Sequence, residues 1–381
     1  MRDPIRVALL TAKMSPAAGG LSVSVPGLAH GLNVFDDVEM HVLGTRDPAD
    51  PEAAMRWGPR VQAFPIVGPA SLQRAPDMAP VLEELAPDVT DVQGLWTWTS
   101  RVSLDYWRRH HKPYVITPRG MLDPWARHNS AWKKRLFAAF AENAHLRHAH
   151  CLRATAEMEA EHFREMGLRA PIAVVPNAIP IPKLAPRPAS QRHQVLFLSR
   201  IHPKKGVDVL LQAWATLQDN HPNWDLVIAG IDENGHEAEL KAQAERLRLQ
   251  RVTFYGPVHG AAKDALYRGS DLFVLPTHAE NFGLVIAEAL AQEVPVITTT
   301  NAPWSGLKEK RCGWWIPLNR ERLIDSMTDA MSRPQADLRA MGARGRTWIK
   351  TDFAPEHVVA KMRVLYLWCA GQAERPDHVG E

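Results

Sequence analysis

Two glutamates eight residues apart, Glu280 and Glu288, flank Gly283 in the stretch DLFVLPTHAENFGLVIAEALAQEVPVITT, residues 271–299. Ionised carboxylates accept hydrogen bonds from hydroxyl groups, and two of them on one strand–loop–helix unit can contact different ends of an elongated ligand. Gly283 lets a backbone approach a ligand closely, and the helix start behind it carries N–H groups with no intrahelical partner, which attract phosphate or sugar oxygens. A second group of charges, Arg200, Lys204 and Lys205, stands in FLSRIHPKKG. Cations hold phosphates, so the two groups together suit a diphosphate lying between two polyhydroxyl units. The plainer reading of the cations is a solvated turn.

These residues need strands and helices to place them. Asp271–Leu275 reads as a buried strand closed by Pro276, Leu284–Leu290 as a helix and Pro295–Thr299 as a β-branched strand. The same alternation runs along the whole chain. IRVALLT, residues 5–11, is a nearly continuous apolar run, as in the first strand of a parallel sheet, and Gly19 and Gly20 follow it before a helix through Leu32. Strands are expected near 39–43, 88–93, 114–117, 151–155 and 172–175, and again at 194–199, 224–229 and 252–255, with helices between them. Asp47–Pro80 reads as a proline-rich span, followed by a helix near Val81–Leu85. Alternating strands and helices imply an α/β chain of doubly wound, Rossmann-like sheets, which bind ligands beyond the carboxyl ends of their strands. Arg119 and Gly120, just after the strand Tyr114–Thr117, occupy such a position.

Length fits two domains: 381 residues, with a proline-rich linker after Val175. The expected division is 1–185, 186–355, and a C-terminal helix with tail, 356–381, packing back across the first domain. Hydrophobic residues at 45% and charged residues at 23% set aside disordered and collagen-like classes. Three cysteines, Cys151, Cys312 and Cys369, form no C-x-x-C pair, which argues against a structural zinc or a disulfide framework and for a reducing cytoplasm. No segment has the apolar length of a spanning helix, so membrane contact would be peripheral. One segment invites it: Trp125, Trp132, Phe137 and Phe140 interleave with Arg127, Lys133, Lys134 and Arg135. A core helix with a solvated cationic face explains the same residues. No G-x-G-x-x-G or P-loop is present, since His236 and Glu237 stand where a P-loop following Gly230 and Gly235 needs Lys and Ser/Thr.

FLSRIHPKKGVDVLLQAW, LPTHAENFGLVIAEALAQEVPVITT, VVPNAI and the Gly19–Gly20 loop together resemble the retaining glycosyltransferases of family 4, whose GT-B fold sets two Rossmann-like domains around a cleft. The resemblance implies transfer of a hexosyl unit from a nucleotide-diphosphate sugar to an acceptor hydroxyl, with anomeric configuration kept, no metal, no cofactor and no nucleic-acid partner. It implies that Arg200 and Lys205 hold the diphosphate, that Glu280 and the backbone of Asn281, Phe282, Gly283 and Leu284 hold the donor sugar, and that Glu288 holds the ribose. Gly19 and Gly20 would approach the phosphates from the N-terminal domain. TPRGMLDPWA departs from the family where many members have His, and resembles a subgroup of bacterial surface-polysaccharide enzymes. Arg119 cannot act as a base there but can stabilise a departing phosphate, while His128 could take a proton. A lipid-linked saccharide acceptor and work at the inner membrane face follow from that subgroup. An epimerase or hydrolase on the same fold, or a non-catalytic nucleotide-sugar-binding subunit, are the alternatives.

Overall fold

A computed structural model describes residues 3–15, 19–123, 142–188 and 190–380. The basic and aromatic segment from Trp125 to Phe140, and His128 within it, lie outside the described residues. The chain divides into two compact units, one formed by Met1–Ala178 with Pro355–Glu381 and the other by Ile179–Ala354.

In the first unit the strands are β1 (Ile5–Thr11), β2 (Val38–Thr45), β3 (Val61–Phe64), β4 (Val89–Gln93), β5 (Tyr114–Thr117), β6 (Cys151–Ala154) and β7 (Ile172–Val174). The second holds β8 (His193–Leu198), β9 (Trp224–Ala229), β10 (Val252–Gly256), β11 (Leu272–Leu275), β12 (Val296–Thr299) and β13 (Gly313–Ile316). A last strand, β14 (Val379–Gly380), returns to pair antiparallel with β7 at the edge of the first sheet.

The first sheet runs β14-β7-β6-β5-β4-β1-β2-β3 and is parallel apart from β14. Strand β1 has Ile5, Val7, Leu9 and Leu10 at 0–1% exposure, as a strand covered on both faces requires. One covering layer is the C-terminal helix Pro355–Cys369, whose Val358, Val359, Met362 and Leu365 join β1 and the helix Leu21–Leu32 in one core. The second sheet runs β10-β9-β8-β11-β12-β13, all parallel. Both are Rossmann-like, so the α/β, doubly wound expectation holds.

The proline-rich span Asp47–Pro80 holds β3, a 3₁₀ turn at Ala53–Trp57, and the first turn of the helix Met78–Leu85, which begins three residues earlier than Val81. Pro80 lies in that first turn, where its missing N–H costs nothing. Four residues of β3 at the sheet edge are too few to show an alternation against the surrounding prolines. All three cysteines are buried and free, with burial pushing Cys151 and Cys312 up to about 12, so they stay as unreactive thiols.

Candidate active site

In the second sheet the order of connection reverses beside β8. The chain moves from β8 outward through β9 to β10, then returns to β11 on the other side of β8 and continues to β13. At such a switch point the loops after the two neighbouring strands diverge and leave a crevice at their carboxyl ends. Those loops here are 199–206, after β8, and 276–283, after β11. They carry Arg200, Lys204 and Lys205 on one and Glu280 on the other, while Glu288 lies in the helix that follows the second.

Backbone bonds sew the loops together. The Lys204 carbonyl accepts from the His278 N–H at 2.8 Å and from the Thr277 hydroxyl at 3.1 Å. Gly206, at φ +70°, begins the helix Val207–Leu217, and a Cβ placed on it would lie 2.0 Å from the Pro276 carbonyl oxygen. Only glycine permits so close an approach. The consequence is direct contact between Lys205 and Glu280: the ammonium donates to Glu280 Oε1, with side chains only 8% and 11% exposed. An ion pair this buried repays its desolvation poorly, so stability alone is a weak reason for it.

Past Glu280, whose N–H bonds the Asn301 carbonyl at 3.0 Å, the loop reaches Gly283 at φ +77° and becomes the helix Leu284–Ala291. The turn is held from beneath. Trp304 donates its indole N–H to the Phe282 carbonyl at 2.5 Å, and its ring meets those of Phe282, Trp348 and Phe353 at 5.3–5.5 Å. Asn281 and Leu284 are half-buried beside this turn, while Phe282 and Gly283 are buried. Ile286 N–H bonds the Gly283 carbonyl at 2.9 Å, so the first-turn N–H groups ahead of it are the ones that helix geometry leaves to other partners.

Glu288 sits one turn inside that helix and belongs to a separate set of bonds. Lys263 Nζ donates to its Oε1 at 2.7 Å, and the Tyr267 hydroxyl donates to its Oε2 at 3.0 Å. Sequence reading did not single out Lys263 and Tyr267. The signal was present, since they stand four apart on one face of the helix Gly260–Arg268.

Arg200 does not join Lys205. Its NH1 bonds both oxygens of Glu233, at 2.8 and 3.1 Å, with the side chains 57% and 36% exposed. An exposed pair of this kind contributes little and is readily exchanged for a better partner.

In the first unit Gly19, at φ +62°, and Gly20 form the turn into the helix Leu21–Leu32; the Gly19 carbonyl accepts from the Ser22 N–H at 3.0 Å. Arg119, itself at φ +59°, spends its guanidinium inside the unit: Nε and NH2 donate to Gln93 Oε1 at 2.8 and 2.5 Å, and NH1 donates to Asn177 Oδ1. Burial and the nearby Arg153 push Arg119 down to about 9, which leaves it a cation at neutral pH. Gln93 in turn donates to Asp91 Oδ1 at 2.7 Å, and Tyr366 of the C-terminal helix donates to Asp91 Oδ2 at 2.5 Å. Burial raises the Asp91 carboxyl. This buried polar network of Asp91, Gln93, Arg153, Asn177 and Tyr366 was missed, although a charge inside VTDVQ or CLRA is an anomaly for strands covered on both faces. Among the described residues no group of three or more His, Cys, Asp and Glu could hold a metal ion.

The family description "Glycosyl transferase 4-like domain" matches residues 19–178, and "Glycosyl transferases group 1" matches residues 185–348. The chain is 25% identical over 346 residues to the GDP-mannose:cellobiosyl-diphosphopolyprenol alpha-mannosyltransferase of Xanthomonas campestris, a match covering 88% of this chain and 90% of that one. It is 32% identical over 216 residues to a glycogen synthase of Mycobacterium tuberculosis, a match that spans 54% of this chain but only half, 50%, of that relative. Among solved structures, sucrose-phosphate synthase from Thermosynechococcus elongatus superposes with a TM-score of 0.80 at 19% identity, covering 97% of this chain and 100% of that one. Anabaena HepE in complex with UDP-glucose does so with 0.75 at 21%, covering 95% and 99%. At these identities the structural likeness is one of fold. With both domain families matched in order along it, the chain belongs to the family 4-type glycosyltransferases of GT-B fold.

Proposed function

We propose that this protein transfers a hexosyl unit from a nucleoside-diphosphate sugar to an acceptor hydroxyl with retention of anomeric configuration. The observation that carries the reading is the Lys205–Glu280 pair, buried at the switch point of the second sheet beside the Gly283 turn and the start of the helix Leu284–Ala291. On this reading Glu280 and the 281–284 backbone hold the sugar, Lys205 and Arg200 face the diphosphate, and Glu288 holds the ribose. Arg200 would exchange its exposed partner Glu233 for phosphate. The bond from the anomeric carbon to the phosphate oxygen breaks as the acceptor oxygen bonds that carbon on the same face. The acceptor's proton passes to the departing phosphate oxygen. Positive charge grows on the sugar and negative charge on the diphosphate, so fixed cations and N–H dipoles at the phosphate lower the barrier.

The names of the relatives support a nucleoside-diphosphate hexose donor: GDP-mannose for the Xanthomonas enzyme and UDP-glucose for the bound form of HepE. The Xanthomonas acceptor is a diphosphopolyprenol saccharide, which supports a lipid-linked acceptor in bacterial surface-polysaccharide synthesis here. No described helix is long and apolar enough to cross a membrane. The cations and aromatics between Trp125 and Phe140 would then supply peripheral contact at the cytoplasmic face, each cation contributing about 1 kcal/mol at an anionic surface. Cosedimentation with anionic but not neutral vesicles is the expected result, and indifference to anionic vesicles removes the membrane assignment.

The test of the reaction is sugar transfer from UDP- and GDP-hexoses to a polyprenyl-diphosphate disaccharide, with product linkage read by NMR. The α-anomer of the product from an α-linked donor is expected, with nucleotide release dependent on acceptor. Release without acceptor would favour a hydrolase, and an inverted product would refute retention. EDTA should leave the rate unchanged, because protein cations and helix dipoles face the diphosphate. Loss of activity in EDTA, restored by a divalent ion, would show that they do not suffice.

A further inference from the structure

We propose that Lys263 and Tyr267 are positioning residues that hold Glu288 ready for the two hydroxyls of a ribose, and so make this site select ribonucleoside over 2′-deoxyribonucleoside diphosphates. The inference rests on the nucleotide-sugar reading given above. A carboxylate has two lone-pair directions on each oxygen. Lys263 uses one on Oε1 and Tyr267 one on Oε2, at 2.7 and 3.0 Å. Each oxygen keeps one direction, and the pair matches the two adjacent hydroxyls of a ribose.

A glutamate 23% exposed would otherwise rotate, and its two oxygens would not stay in one plane with the diol. Here the clamp is rigid on its own side. Tyr267 is fully buried, and its hydroxyl also lies 3.2 Å from the Val285 carbonyl. Burial and the adjacent Glu288 carboxylate raise its pKa well above that of a free phenol, so it stays a donor. The Lys263 ammonium gives Glu288 Oε1 a charge-assisted hydrogen bond, the stronger kind, and so fixes that oxygen. A further bond from Gln292 to Asp264, 3.1 Å, ties the same two helices together. Packing of one helix on the other would be served by that bond alone. A tie that ends on both oxygens of a carboxylate set beside the ligand-binding turn is what orientation requires.

Calorimetric titration of the full chain with UDP, GDP and ADP and their 2′-deoxy forms tests the proposal. The wild type is expected to prefer the ribose form of its nucleotide by roughly tenfold or more, the effect of one charged hydrogen bond. Lys263→Met and Tyr267→Phe should bring that ratio to within about threefold of unity by weakening ribose binding, with the 2′-deoxy affinity little changed. Lys263→Arg should retain the preference. Melting temperature confirms that each variant is folded, and Tyr267→Phe, lacking one oxygen, keeps the test available if Lys263→Met does not fold. Folded variants with the wild-type ratio overturn the positioning role. A wild type that binds a nucleoside diphosphate without preferring ribose overturns it too, while leaving the donor reading intact. A wild type that binds none of the three overturns the donor reading itself.

Discussion

Lys205→Met and Glu280→Gln are each expected to lower kcat/KM by roughly a hundredfold to a thousandfold, the effect of losing one preorganised electrostatic partner. Each should also destabilise the fold by about 3 to 5 kcal/mol, because the surviving member of the pair is left charged and unpaired among groups that exclude water. The double variant separates the two effects. Removing both charges removes the desolvation cost as well, so stability should return to within about 1 kcal/mol of wild type. Activity should not return. Urea denaturation and steady-state kinetics on the four proteins give the cycle directly. Recovery of activity in the double variant would mean that the pair only holds the fold, and a double variant destabilised by the sum of the two singles would mean that the two residues contribute independently.

What local patterns reveal and what they conceal is clear from these same loops. The strand, loop and helix within 271–299 could be read without a structure, because Leu272–Leu275, Gly283 and Leu284–Ala291 each follow from composition over a few residues. Nothing local joins Lys205 to Glu280, which are 75 positions apart. Their meeting depends on β8 and β11 being neighbours, a property of sheet order that no periodicity carries. Arg200 shows the converse. Five residues from Lys205, it reads as part of one cationic cluster, yet Ile201 bridges to Asp232 on the β9 side of the sheet and turns Arg200 toward Glu233. The 3₁₀ turn Pro203–Lys205 then leads the chain back to the β11 side. Proximity along a loop is a poor guide to which edge of a strand a side chain serves.

Arg119 illustrates a second limit. Its place after β5 could be read, but its partners Gln93 and Asn177 come from β4 and from the chain beyond β7. Tyr366 reaches Asp91 across 275 residues. Such a network satisfies its buried charges only when distant elements are in place, so its members look like isolated anomalies until they are assembled. Lys263 and Tyr267 were concealed differently: a Lys and a Tyr four apart on an amphipathic helix are ordinary, and only the carboxylate they share marks them.

Gly206→Ala should disable the second unit's switch point without touching a charged group. Two penalties add. An alanine at φ +70° occupies the left-handed region, costing about 1 to 2 kcal/mol, and its Cβ would sit 2.0 Å from the Pro276 carbonyl oxygen, where no real contact is tolerated. The obstacle is backbone on both sides, because Gly206 caps a buried helix and Pro276 directly follows β11. Neither can yield as a side-chain tip would. Separation of the two loops must follow, and it pulls apart the bonds from His278 and Thr277 to the Lys204 carbonyl. A loss of about 3 kcal/mol or more in unfolding free energy is expected, with transfer activity reduced at least as far as in Lys205→Met. Gly235→Ala is the matched control: its φ of +79° imposes a similar backbone penalty, but a Cβ there meets nothing within 4 Å. If Gly206→Ala loses no more stability than Gly235→Ala and retains full transfer, then close contact between the two loops is not what positions Lys205 against Glu280.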